Sequence, residues 1–131
     1  MFLFDTDTLS NLLKKSPSSV LLSRMVTIRR KDQFTTTITV GEMVYGAYKS
    51  DRPYYFLEKL DRLLLPKLTV LPFDESAARA YGRLRAALEK AGTPIAEPDL
   101  RIASICLVRD LTLITGNVSH FSKVLGLRVE N

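Results

Sequence analysis

Short apolar strands alternate with longer helix-patterned segments along the whole chain, and that alternation admits few folds. Phe2-Leu3-Phe4, Phe34 to Ile38, Leu68 to Phe73, Leu111 to Ile114 and Leu127 to Val129 read as strands. Between them, apolar residues keep helical spacing. The first such segment runs through Leu9, Leu12 and Leu13. A second runs through Val20, Leu21, Met25 and Ile28, opened by Ser16-Pro17 and closed by Arg29-Arg30-Lys31. Thr39-Val40-Gly41-Glu42 has the spacing of a capping box and predicts a helix through Met43, Val44 and Ala47. Arg52-Pro53, Asp74 and Pro98 open three more, and Asn117 to Val124 reads as a helical turn or short helix. Strands without polar alternation are buried on both faces, which is the condition of a parallel sheet covered by helices. The expectation is a three-layer α/β/α architecture with a central, mainly parallel sheet, formed as one domain by residues 1–131. The first strand begins at residue 2, so the chain reads as complete.

The composition narrows the chemistry. Hydrophobic residues make up 46% of the chain, enough for one core, and no apolar stretch approaches the roughly 20 residues that cross a bilayer. Nothing resembles a secretory signal, because Asp5 and Asp7 interrupt the apolar start at once. Cys106 is the only cysteine, so no intrachain disulfide can form, and its apolar surroundings predict a buried thiol. A cytoplasmic setting with no membrane association fits these features. Nineteen Lys and Arg against fourteen Asp and Glu leave a charge of +5, which favours polyanions and nucleic acid above all.

Three acids stand where strands meet helices or where helices start: Asp5 after Phe2-Leu3-Phe4, Glu42 after the strand ending at Ile38, and Asp99 opening Asp99-Leu100-Arg101-Ile102-Ala103-Ser104. In an open parallel sheet such positions converge at the carboxyl ends of the strands. Carboxylates gathered there repel one another unless a cation holds them, so the pattern points to a divalent metal. Each acid also has a local explanation. Asp5 or Asp7 can cap the first helix, Glu42 can close the capping box, and Asp99 suits a helix N-terminus.

The resemblance that gathers these features is carried by four motifs. Phe4-Asp5-Thr6-Asp7 resembles the Leu-Asp-Thr-Asn start of PIN-domain ribonucleases. Val40-Gly41-Glu42-Met43-Val44-Tyr45-Gly46-Ala47 is similar to their second motif, a Glu followed closely by Gly-Ala. Pro98-Asp99-Leu100-Arg101-Ile102-Ala103-Ser104 resembles their Asp-x-x-Ile-Ala-Ala, and Thr115-Gly116-Asn117-Val118-Ser119-His120-Phe121 their last motif. Order, spacing and length most resemble VapC-type toxins of toxin–antitoxin pairs. The resemblance implies Mg²⁺-dependent (or Mn²⁺-dependent) cleavage of RNA phosphodiester bonds, with Asp5 and Asp99 coordinating directly and Glu42 binding through water or orienting the attacking water. An acid often found in the last motif is absent here, where Asn117 and His120 stand. Asn117 can offer its amide oxygen, Thr115 a hydroxyl, and His120 a contact to phosphate or metal, or simply a packed ring beside Phe121. A site short of one charge favours one metal over two.

Partners follow in the same way. The resemblance implies an RNA substrate, a homodimer and a cognate antitoxin. Lys14, Lys15, Arg29, Arg30, Lys31, Arg101 and Lys123 are candidates for phosphate contacts, Arg101 foremost because it lies two residues from Asp99. The apolar residues Tyr54, Tyr55, Phe56, Leu57, Leu60 and Leu64 are rich enough for a protein-binding face. Two other functions are compatible with parts of the pattern. One is a PIN-like RNA- or protein-binding module without activity. The other is a haloacid-dehalogenase-type phosphatase, whose Asp-x-Asp-x-Thr opening Asp5 to Thr8 also resembles, though its later Lys and acidic pair are missing.

Overall fold

Leu3 and Phe4 are neighbours on the first strand and both are wholly buried, yet they belong to different cores. Successive strand residues point to opposite faces, so a strand buried on both sides must lie between two layers. The computed structural model describes residues 1–131. Five strands, β1 (Phe2–Phe4), β2 (Gln33–Thr36), β3 (Thr69–Leu71), β4 (Thr112–Ile114) and β5 (Arg128–Glu130), form one sheet in the order β3-β2-β1-β4-β5. Every pairing is parallel, with Leu3 opposite Phe34 on one side and Leu113 on the other.

Helices fill the crossovers. Helices α1 (Thr6–Leu12) and α2 (Ser19–Thr27) link β1 to β2, and α3 (Thr37–Lys49) and α4 (Pro53–Lys59) link β2 to β3. The long α5 (Glu75–Lys90) and α6 (Glu97–Val108) return the chain to β4, and the short α7 (Val118–Phe121) precedes β5. Crossovers in parallel sheets share one hand, so units travelling in opposite directions along the sheet put their helices on opposite faces. Accordingly Leu3, Leu113 and Phe121 pack with α5 and α6, whereas Phe4 and Ile114 pack with Leu9 of α1, Met43 of α3 and Leu60 and Leu64. The three-layer domain expected from the pattern is thus the fold, with a sheet that is parallel throughout.

Local boundaries differ in instructive ways. The second strand stops at Thr36, because Thr36 rather than Thr39 caps α3, its hydroxyl accepting from the Thr39 N–H at 3.1 Å. Glu42 therefore lies in the second turn of α3 and closes no capping box. Ser18, not Ser16, caps α2 by accepting from the Leu21 N–H. That helix buries no residue, and Val20 and Val26 are 79% and 85% exposed. Beyond α4 the chain widens into a π-helical turn, Leu60–Leu64, then tightens into a 3₁₀ turn, Leu65–Lys67. The widened turn directs Leu60 and Leu64 inward, to 2% and 6% exposure, so neither contributes to the docking face that the sequence pattern suggests. Cys106 is fully buried; desolvation pushes its thiol up to about 12, and the thiol donates to the Leu111 carbonyl at 3.2 Å.

Truncation separates these roles. Leu60→Ala should lower unfolding stability by about 2–5 kcal/mol, as for other filled core positions. Tyr54→Ala, at a site 75% exposed, should stay within about 0.5 kcal/mol of the parent. Urea titration followed by far-UV circular dichroism measures both.

Candidate active site

The order β3-β2-β1-β4-β5 reverses between β1 and β4, so the chain leaves their carboxyl ends toward opposite faces and opens a crevice there. Asp5 follows β1 directly and Thr115 follows β4 directly. Asp5 is only 3% exposed, and a buried carboxylate must be hydrogen-bonded to remain ionised. Its Oδ1 accepts from the Thr8 N–H at 2.9 Å, making it the N-cap of α1; its Oδ2 accepts from the Thr115 hydroxyl at 2.6 Å. The capping role expected of Asp5 is therefore filled, with its second oxygen tied to the start of the loop after β4. Each carboxylate oxygen offers two acceptor directions, so a further ligand can still be engaged.

Glu42 projects from α3 toward the same crevice. Its Oε1 accepts from the Thr6 hydroxyl at 2.5 Å, and Thr6 in turn lies 3.2 Å from the Thr39 hydroxyl. No lysine or arginine pairs with it. Asp99 occupies the first turn of α6, where helix polarity favours a negative charge. Its carboxyl nevertheless sits above the ordinary carboxylate range. Burial is the main cause, and the charges of Asp5, Glu42 and Asp7 push it further, against the opposing influence of His120. Acids from α1, α3 and the end of β1 thus act on Asp99 of α6 across the crevice. Asp7 is the member that motif reading assigns only to helix capping. It stands two residues past Asp5 in the first turn of α1, exposed, and its charge reaches Asp99.

His120 comes from α7, its ring edge-on to Phe121 at 5.3 Å. Its Nε2 lies 3.1 Å from Asp99 Oδ2, yet that nitrogen is buried and makes no hydrogen bond. An unsatisfied polar atom beside a strained carboxylate marks a place for a further polar ligand. Thr115 is 1% exposed and supports Asp5, while also accepting from the Asn117 N–H at 3.0 Å. Asn117 is exposed and its amide group has no partner. Arg101 does not point free into solvent: Glu97 holds it at 3.1 Å, and its guanidinium stacks on Phe73 and Tyr81 at 5.6 and 5.4 Å. It still borders, with Glu42, a shallow cleft of about 380 Å³.

The donor set is made of hard oxygens with uncompensated negative charge, which suits Mg²⁺ or Mn²⁺. No three carboxylate, imidazole or thiol groups stand at ligand distance from one point. That arrangement is compatible with an ion that keeps several waters and takes only one or two carboxylates directly, as Mg²⁺ does.

Residues 2–125 match the PIN domain family. The chain belongs to the PIN-domain family. Within it the similarity is to VapC proteins: this PIN domain is 32% identical to ribonuclease VapC2 of Haemophilus influenzae, covering 99% of this chain and 96% of that one. It is 31% identical, over the same shares, to the tRNA(fMet)-specific endonuclease VapC of Salmonella typhimurium. Among solved structures, it superposes on the FitAcB structure from Neisseria gonorrhoeae with a TM-score of 0.91 at 27% identity, covering all of this chain and 97% of that one. DNA-bound VapBC from Salmonella typhimurium gives a TM-score of 0.91 at 32% identity, covering 98% and 96%. The phosphatase alternative is set aside by the family match.

The strain on Asp99 has a measurable consequence in the metal-free PIN domain. A carboxyl whose folded pKa is raised ionises first in the unfolded chain, so stability falls as pH rises through that range and stays lower above it. Asp99→Asn should therefore raise the urea midpoint at pH 7 in EDTA. The advantage should vanish as pH drops below the ordinary carboxylate range, which a pH series of denaturation curves would reveal.

Proposed function

We propose that this PIN domain is a metal-dependent endoribonuclease and the toxin half of a toxin–antitoxin pair. The observation that carries the reading is the pair of carboxylates at one crevice: Asp5, buried and hydrogen-bonded through both oxygens, and Asp99, whose carboxyl is raised first by burial and then by the charges of Asp5, Glu42 and Asp7. The relatives named for ribonuclease activity, matched over nearly the full chain, support RNA as the substrate.

Asp5 and Asp99 would hold Mg²⁺ or Mn²⁺ directly. When bound, such an ion polarises the phosphoryl oxygen, lowers the pKa of a bound water and neutralises charge on the departing oxygen. The protein supplies position. Thr115 and the Thr8 N–H fix both oxygens of Asp5, so its orientation is set before any ligand arrives. Glu42, steadied by Thr6, is placed to accept a proton from, or to orient, the attacking water. His120, with its free buried nitrogen beside Asp99, contacts either the phosphate or a water on the ion. Asn117 holds the loop through its backbone and leaves its amide available to substrate. No covalent enzyme intermediate is required.

Antitoxin binding is supported by solved relatives described as toxin–antitoxin complexes. The uncovered apolar side chains of α2 are suited to a protein partner, whether antitoxin or a second copy in a homodimer. No helix is long and apolar enough to cross a membrane, and the buried free thiol suits a reducing cytoplasm.

Losing an outer partner of a metal site typically costs about 10–100-fold, so Asp5→Ala, removing a direct ligand, should cut RNA cleavage by at least about 100-fold. EDTA should abolish cleavage and added Mg²⁺ restore it. Mg²⁺ should also raise the melting temperature of the parent and not of the Asp5→Ala, Asp99→Ala double variant. Undiminished cleavage by Asp5→Ala would remove the assignment, whereas metal binding without cleavage would favour the inactive binding module.

A further inference from the structure

Asp7 and Asn11 stand four residues apart on α1 and so share a face of that helix. Both line a slot of about 210 Å³ between α1, α2 and the chain that follows β4. No residue of α3 or α4 reaches it. Pockets for whole small molecules run to about 300–1,000 Å³, so this one suits a single planar ring system. Thr115 lines the slot and also donates to Asp5, which makes the slot a side chamber of the acidic crevice.

The polar groups of the slot are specified by their other contacts. Asn11 Oδ1 accepts from the Ser18 N–H at 2.9 Å. A backbone N–H can only donate, so that contact fixes which end of the amide faces Ser18 and leaves the NH2 group as a donor. Asp7 is exposed, and no lysine, arginine or histidine pairs with it. The one cation in the lining, Arg24, is already engaged: Glu130 holds it at 2.7 Å, and its guanidinium lies 5.3 Å from the centre of the Phe2 ring. A bare carboxylate beside a neutralised arginine repels phosphate and attracts a neutral group rich in N–H donors. Val20, Leu21 and Ile114 supply apolar contacts for the faces of a ring.

We propose that this slot reads guanine on the nucleotide adjoining the scissile phosphate, Asp7 accepting from guanine N1–H and N2–H and the Asn11 NH2 group donating to O6. The inference rests on the ribonuclease reading and adds to it the base that selects the cut. Guanine alone of the four bases carries an acceptor and two donors side by side along its Watson–Crick edge, and the slot offers the complementary donor and two-oxygen acceptor. Cytosine has the opposite order and would set its own oxygen against the carboxylate. Uracil and adenine each present a single N–H-bearing group on that edge. Asp7 lies two residues past Asp5, so the nucleotide read there is next to the phosphate that meets the crevice.

The test uses an RNA pool with a randomised central segment, digested in Mg²⁺ by the full chain, with the new ends sequenced. Cutting next to guanosine at one fixed position should be favoured over each other base by about 5- to 150-fold, the discrimination of a bidentate base contact. Asn11→Asp keeps an acceptor for the Ser18 N–H but opposes oxygen to O6, so the preference at that position should disappear while cutting continues. Asp7→Asn should lose the preference too. Its overall rate can change through Asp99, but the ratio between bases within one pool does not follow a uniform change in rate. On a defined guanosine substrate, inosine, which lacks the N2 amino group, should lower kcat/KM of the parent by at least about 10-fold, as for a hydrogen bond to a charged group. The same replacement should make little difference to Asp7→Asn, and 7-deazaguanosine, altered outside the edge that is read, should match guanosine. New ends without base preference, a preference for another base, or a guanosine preference that survives both variants would overturn the slot. Loss of cutting in Asp5→Ala in the same assay would then leave the nuclease reading intact. A parent protein that cuts no member of the pool would overturn both.

Discussion

A buried carboxylate that ties two central strands together underlies the rest of this structure. Asp5 is almost inaccessible, and the Thr8 N–H and the Thr115 hydroxyl each supply its carboxyl group with a hydrogen bond. Those two donors belong to opposite sides of the β1–β4 crevice. The Thr8 hydroxyl reinforces the link by donating to the Ile114 carbonyl, and Thr115 accepts from the Asn117 N–H. The ends of both strands, the start of α1 and the loop into α7 are therefore fixed relative to one carboxylate. The same contacts that make Asp5 tolerable in the core also fix the orientation of its carboxyl group.

Much of this is legible in the residues, and the parts that are not have identifiable causes. Unbroken apolar triplets such as Phe2-Leu3-Phe4 announce strands buried on both faces, and five strands separated by helices leave little room for another topology. Asp5 and Asp99 are conspicuous because each stands beside an apolar element where a lone charge is costly. The start of α3 is hard to place because Thr35-Thr36-Thr37-Ile38 is β-branched throughout, while the choice between Thr36 and Thr39 as cap depends on which hydroxyl meets which N–H. Leu60 and Leu64 read both as the buried side of a helix and as part of a protein-binding face; burial is the outcome, through a π-helical turn that has no sequence signature. Nothing in the sequence links Arg52 and Lys59 to Lys14 and Lys15, because only the packing of α4 beside α1 and α3 brings such distant residues together.

The distribution of charge around the crevice is uneven for a structural reason. Toward α5 and α6, Glu97 accepts from the Tyr81 hydroxyl, Arg85 and Arg101, and its carboxyl is held below the usual range by Tyr81 first and then by the arginines. This exposed network uses local positive charge to join two helices, and α5 and α6 are the most closely associated pair in the fold. Individually such surface pairs contribute little, but linked through Tyr81 and the ring of Phe73 they define how α6 presents Asp99. Toward α1 and α4 no carboxylate competes for the lysines and arginine. One flank of the site thus has its arginines paired with Glu97, whereas Lys14, Lys15, Arg52 and Lys59 on the other flank form no ion pair.

The acid absent from the last motif bears directly on the chemistry, and the structure relocates it. Asn117 serves the scaffold through its backbone N–H, a task any residue but proline can perform, so the loop does not depend on a carboxylate at that position. Negative charge enters from the first motif instead, where Asp7 acts on Asp99 from the opening turn of α1. Four carboxylates remain around the crevice, displaced toward α1. The charges of Asp5, Glu42 and Asp7 add to burial in raising the Asp99 carboxyl. A divalent cation held beside Asp99 would oppose those effects on its carboxyl. Among the acids that act on Asp99, Asp7 of the first motif thus contributes a negative charge where the last motif offers only Asn117 and His120.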